Sequence, residues 1–141
     1  MQIVETHSHL NGYDPIWWSI LAPMSKSITS TEMAAQIDEV GWPTLPVQSA
    51  TGTVRWARHR AWWMDTTEYF ANIDGVTFQI GVSARDTYNT DWYVSAVLGD
   101  RSVSLRALYG RRILTSSLAD AKEWATAHAA EIKTKSEEAS R

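Results

Sequence analysis

Thr67-Glu68-Tyr69-Phe70-Ala71-Asn72-Ile73-Asp74-Gly75-Val76-Thr77-Phe78-Gln79-Ile80-Gly81-Val82 is the stretch whose reading decides the fold. Asp74-Gly75 sits between two β-rich runs, the signal for a two-residue hairpin with a type I′ turn. Folding there sets Ile73 against Val76, Ala71 against Phe78, Tyr69 against Ile80 and Thr67 against Val82. Strand side chains alternate, so these pairs share one face, and that face is almost wholly apolar. The other face carries Phe70, Asn72, Thr77 and Gln79. A slip of one residue would scramble both faces, so the register is well specified.

Downstream, Gly99-Asp100 reads as a second hairpin turn. It sets Ala96 against Val103, Val94 against Leu105 and Trp92 against Ala107, again an apolar face. Two hairpins greasy on one side need a common cover. Ser117-Leu118-Ala119-Asp120 supplies a helix start with an early acid. Leu118, Ala121, Ala125, His128 and Ile132 then form one helical stripe flanked by Trp124, and Lys133 to Arg141 is a polar end expected to fray.

Upstream, Thr29 and Glu32 form a capping box, and Met33, Ile37 and Val40 follow as one stripe before Gly41 and Pro43. Asp14-Pro15 announces a short helix Ile16–Ala22, stopped by Pro23. Gln2–Leu10 reads as a strand, and Thr53–Ala57 as a further one. Residues 43–52 hold two prolines and a glycine and are expected to be a loop or hinge. The expected fold is therefore α+β: an antiparallel meander of four or more strands with two tight hairpins, covered by a C-terminal helix, with short N-terminal helices. The 141 residues form one domain, with the hinge between the N-terminal elements and a 53–134 module.

Composition narrows the function. There are no cysteines, which removes a disulfide framework, a thiolate metal site and a cysteine nucleophile. No apolar run approaches the roughly 20 residues that span a bilayer. The first residues lack the basic-then-apolar pattern of a secretory signal, so the expected location is cytoplasmic, with no membrane partner. Net charge is −3, but unevenly spread. Residues 1–50 hold one lysine against five acids, whereas 51–112 hold eight arginines against six acids. No global field draws in nucleic acid, and any such contact must be local.

Eight tryptophans make the chain unusual, and tryptophan with arginine is the signature of binding faces. Arg55-Trp56-Ala57-Arg58-His59-Arg60-Ala61-Trp62-Trp63 concentrates both. Guanidinium groups suit carboxylates or phosphates, and indoles offer stacking faces. Trp56 is assigned to the core, while Arg55, Arg58, Arg60, Trp62 and Trp63 are the candidate interface. Trp17 and Trp18 are adjacent on a helix, about 100° apart, so Trp18 can reach outward while its neighbour packs. The leading expectation is a non-enzymatic module that binds a protein. A single-stranded nucleic acid binder is an alternative.

A further alternative is a metal-dependent hydrolase or nuclease. Glu5, His7 and His9 would share one strand face and could hold a divalent ion, although no cofactor is otherwise expected. Ile3-Val4-Glu5-Thr6-His7-Ser8-His9-Leu10-Asn11-Gly12 resembles the opening strand of some type II restriction endonucleases that cut GATC-containing sites. That family's Pro-Asp element, the first part of its metal-binding cluster, is missing, so the resemblance brings no nuclease chemistry with it. Trp92 with Ser117-Leu118-Ala119-Asp120-Ala121-Lys122 is similar to a meander and helix start in small accessory proteins of actinobacterial phages and mobile elements, over residues 66–130. That resemblance implies a compact protein that binds, and in some cases blocks, a host protein. Open meander edges also offer a route to a homodimer.

Overall fold

The computed structural model describes residues 28–60, 67–82 and 91–139. The expected strand Gln2–Leu10 and helix Ile16–Ala22 lie outside them.

The described chain begins with helix α1, Ser30–Val40, whose start is the expected cap: Thr29 accepts a hydrogen bond from the Glu32 amide at 3.0 Å. Gly41 ends it in the left-handed region at φ 86°, where a side chain would be strained. Met33 is buried and Ile37 half-buried, but Val40 is 67% exposed and leaves the expected stripe. Val40 is the last residue of the helix, and the chain turns away at Gly41.

Two short strands follow, β1 at Val47–Gln48 and β2 at Ala57–His59, then β3 at Glu68–Ile73 and β4 at Val76–Val82. The β3–β4 hairpin has the expected register, with Tyr69 opposite Ile80, Ala71 opposite Phe78 and Ile73 opposite Val76. Its turn has φ 53° at Asp74 and 96° at Gly75, the double positive φ of a type I′ turn. Strand β5, Trp92–Leu98, pairs with β4 along its whole length.

The second hairpin is only partly as expected. Strand β6 spans Arg101–Val103, and Ala96 does face Val103. Val94 does not face Leu105, nor Trp92 Ala107, because Leu105–Tyr109 is a short helix, α2. Ser104 caps it by accepting from the Ala107 amide at 3.1 Å, and Gly110 closes it at φ 75°. The chain then returns as strand β7, Leu114–Thr115, which takes the place opposite Tyr93 and Trp92. The Val94 amide donates to the Ile113 carbonyl at 3.1 Å.

Helix α3 runs from Leu118 to Ala139, about 33 Å at the standard rise. It does not fray at Lys133. Ile132 is fully buried, and Glu131 stands four residues before Lys135 in the favourable order. Its buried face is Ala121, Ala125, Ala129 and Ile132. His128, expected on that stripe, lies half-buried beside it.

Among the described residues the sheet has seven strands in the order β1-β3-β4-β5-β6, with β2 also on β3 and β7 also on β5. β1 is parallel to β3; every other pair is antiparallel. One face packs Ala71, Ile73, Phe78, Ile80, Val94 and Ala96 under α3. The opposite face, expected to be the polar one, carries its own smaller core. Phe70 and Ala57 join Met33, Ile28 and Leu45, with the Trp42 ring edge-on to Phe70 at 6.1 Å. The architecture is thus α+β, with helices on both sides of the sheet. No described helix is long and apolar enough to cross a membrane.

Candidate functional site

Strand β2 takes the outer position beside the first half of β3, with Arg58 opposite Tyr69. Alternation sends Ala57 and His59 inward and Arg58 outward. Arg55 and Arg60, on either side of the strand, are exposed as well. Trp56 is half-buried and packs against the core under α3, which fixes the backbone that carries the arginines. The clamp that sets this segment is Gln48. Its Nε2 donates to the Arg55 carbonyl and its Oε1 accepts from the Arg55 amide, both at 2.8 Å.

Between residues 50–56 and α3 lies an open groove of about 700 Å³. Val54, Arg55 and Trp56 line one side, and Lys122, Glu123 and Thr126 the other. Such a volume is within the range of ligand-binding clefts. The Lys122 ammonium lies 5.0 Å from the centre of the Tyr69 ring, a cation–π distance. Burial lowers its pKa below the ordinary lysine value of 10.5. Lys122 forms no ion pair with a carboxylate among the described residues.

On the other face of the sheet a polar row crosses the strands. His59 is opposite Glu68, and Gly81 is opposite Tyr93. The His59 and Glu68 side chains are only 6% and 13% exposed, with Nδ1 and Oε2 3.5 Å apart. That is ion-pair range but too long for a good hydrogen bond, and Nδ1 has no hydrogen-bond partner. Glu68 Oε1 accepts from Gln79 Nε2 at 2.6 Å. Burial, and then the nearby Glu68 charge, raises the Tyr93 phenol pKa above 10.0. The row holds one imidazole and one carboxylate, and no group of three or more metal-ligating side chains occurs among the described residues.

A third cluster is aromatic. The His128 ring stacks on Trp124 at 4.2 Å and 13°, its Nδ1 is 2.7 Å from the Trp124 carbonyl, and Tyr109 stands edge-on to both rings. Tyr109 donates to Glu131 at 2.6 Å. All four tryptophans among the described residues (Trp42, Trp56, Trp92 and Trp124) are half-buried.

Of the sequence-derived candidates, Arg55, Arg58 and Arg60 are thus on one exposed edge. Trp18, Trp62, Trp63, Glu5, His7 and His9 lie outside the described residues. Sequence reasoning did not single out Gln48 as a clamp or Lys122 as part of a binding surface. No local pattern marks either: both depend on what the fold sets beside them. Compared with family models, curated proteins and solved structures, the chain finds no match in any of the three.

Proposed function

We propose that this protein is a non-enzymatic binding module that grips an acidic surface of a protein partner through the edge carrying Arg55, Arg58 and Arg60. The observation that carries this reading is the division of labour in residues 55–60. Trp56, Ala57 and His59 anchor the segment inward, while all three arginines are exposed. An anchored, arginine-bearing edge is pre-ordered, so less side-chain and backbone freedom is lost on binding. The acidic balance of the whole chain favours a protein over a nucleic acid, because a phosphate backbone would meet repulsion away from this edge. The similarity to phage and mobile-element accessory proteins directs the search toward a host protein, for which the module would act as a blocker.

Site-specific photo-crosslinking in a host lysate tests the reading. A photoreactive residue at position 58 or 60 should trap one partner that the same residue at Arg101, on the far edge of the sheet, does not. Charge reversal at Arg55 should suppress the adduct. Equal adducts from all three positions would remove the edge from the proposal.

A further inference from the structure

We infer that Asp74–Gly75 is a modification site: an aspartyl bond that isomerises through a cyclic imide when the first hairpin opens, and that the Asn72 carboxamide keeps closed in the folded chain. Its chemistry does not depend on what the arginine edge binds.

Asp74–Gly75 is the one Asp–Gly step in the sequence. Glycine has no Cβ, so nothing shields the Gly75 nitrogen from the carboxyl group beside it. The reaction needs only water. The Gly75 nitrogen attacks Cγ of the protonated Asp74 carboxyl. An N–Cγ bond forms, the C–OH bond breaks, and water leaves with the amide proton. Water then opens the imide. Cleavage of the N–Cγ bond restores aspartate. Cleavage of the bond from nitrogen to the main-chain carbonyl carbon leaves isoaspartate, with the backbone running through Cγ.

The folded turn withholds the attacking nitrogen. The Gly75 amide donates to Asn72 Oδ1 at 3.0 Å, which ties it to a side chain other than the aspartate's. The Asp74 amide donates to the Gln48 carbonyl at 2.8 Å, so the aspartate backbone is fixed as well. Positive φ at both residues, 53° and 96°, belongs to a type I′ turn, whose first central residue turns the following nitrogen away from its own Cβ. Ring closure needs the opposite rotation. Both residues are half-buried, between the fully buried Ile73 and Val76. These restraints release together only when the turn opens.

The product does not fit the fold. Isoaspartate adds a methylene to the backbone of a two-residue loop. Ile73 and Val76 then no longer meet across it, and the pairing that sets Ala71 against Phe78 and Tyr69 against Ile80 loses its start. A chain that isomerises while open is thereby kept out of the native state.

The test ages the full-length chain in mildly acidic buffer and counts isoaspartate at position 74 by peptide-resolved mass spectrometry. In denaturant, wild type and Asn72→Ala should isomerise at equal rates. Without denaturant the wild type should be at least about tenfold slower, because the turn must first open. Folded Asn72→Ala should be about fivefold faster than the folded wild type, the worth of one hydrogen bond. Asn72→Asp keeps an acceptor oxygen and should stay near the wild-type rate. Gly81→Ala loses stability elsewhere in the sheet, keeps the Asn72 bond, and should also stay near it. Hydrogen exchange at the Gly75 amide of the wild type should be slow, a readout that stands even if Asn72→Ala does not fold. After denaturant is removed, isoaspartate should collect in the chains that fail to refold. Four results overturn the inference. In the first, the wild type isomerises as fast folded as denatured, or its Gly75 amide exchanges freely, so the turn is not closed. In the second, Gly81→Ala speeds the reaction as much as Asn72→Ala, so overall stability protects the bond and Asn72 does not. In the third, Asn72→Asp is as fast as Asn72→Ala, or Asn72→Ala is as slow as the wild type, so the acceptor oxygen is not the guard. In the fourth, chains with isoaspartate refold as well as those without, so the modification does not exclude them from the fold.

Discussion

The Gln48 side-chain amide pairs with both backbone groups of Arg55, donating to its carbonyl and accepting from its amide at 2.8 Å each. A side chain here does what a neighbouring strand does, satisfying a donor and an acceptor on one residue. The main chain of Gln48 meanwhile accepts from the Asp74 amide at 2.8 Å, so one residue ties residues 49–55 to the first hairpin. Gln48→Ala removes both side-chain bonds and leaves Arg55 to water. The expected loss is about 1–3 kcal/mol, read as a lower urea midpoint. Faster amide exchange confined to residues 49–56 should accompany it. A global loss with no local increase in exchange would show that the clamp is not local.

Lys122 gives a pH signature. Its folded pKa is lowered by burial from 10.5, so the folded state binds that proton more weakly than the unfolded chain does. The penalty is fully present below the folded value and disappears as pH rises toward 10.5. Lys122→Met carries no such penalty. Its stability relative to the wild type should be greatest near neutral pH and fall steadily into the alkaline range. The lost cation–π contact, worth about 0.5–1 kcal/mol at exposed sites, also needs the charged amine, so it opposes the burial penalty over the same pH range and makes the slope shallower without reversing it. Denaturation at a series of pH values measures it, and a difference that does not vary with pH would contradict the assignment.

Gly81 is small because Tyr93 lies across it. A Cβ built there would stand 2.8 Å from the Tyr93 hydroxyl and 2.9 Å from the ring carbon that bears it. Gly81→Ala must push the ring away from the His59–Glu68 row. The expected cost is about 1–3 kcal/mol, the usual range for overpacking. Adding Tyr93→Ala should make the glycine substitution nearly neutral in a double-mutant cycle, which equal costs in both backgrounds would refute.

Tyr109 predicts the opposite pH dependence to Lys122. Burial, then the hydrogen bond to Glu131 and that residue's charge, raise its phenol above 10.0. The contribution is present below 10.0 and is lost as pH climbs through the higher folded value. Tyr109→Phe should cost about 1 kcal/mol near neutrality and flatten the alkaline fall in stability. An unchanged alkaline limb would mean that other tyrosines set it.

The first hairpin was legible because three signals agree there: an Asp-Gly turn, strict alternation, and large apolar residues on both arms. Helix α1 was legible for a similar reason, with its cap and its stop both written locally. The stretch after Val103 was misread because Val103, Leu105 and Ala107 alternate as a strand does, while Ser104 caps and Gly110 terminates a helix. The backbone satisfies the cap, and the vacated place on β5 goes to Leu114–Thr115. Strand β1 could not be seen, because two residues paired with a distant partner leave no period to read. The exposed position of Arg58 between the inward Ala57 and His59 follows from alternation; that of Arg55, which precedes the strand, does not. Nor does the placement of Lys122 over the Tyr69 ring, since it depends on how α3 lies across the sheet.

Both margins of the sheet are assembled from fragments. β1 and β2 share one border, with two and three residues; β6 and β7 share the other, with three and two. A stranger chain seeking to zip onto either described flank would find a landing of no more than three consecutive residues before the backbone turned away. Runaway stacking needs long, flat ledges. The described margins offer only stubs, and neither gives copies of the chain a ledge for open-ended stacking along the sheet.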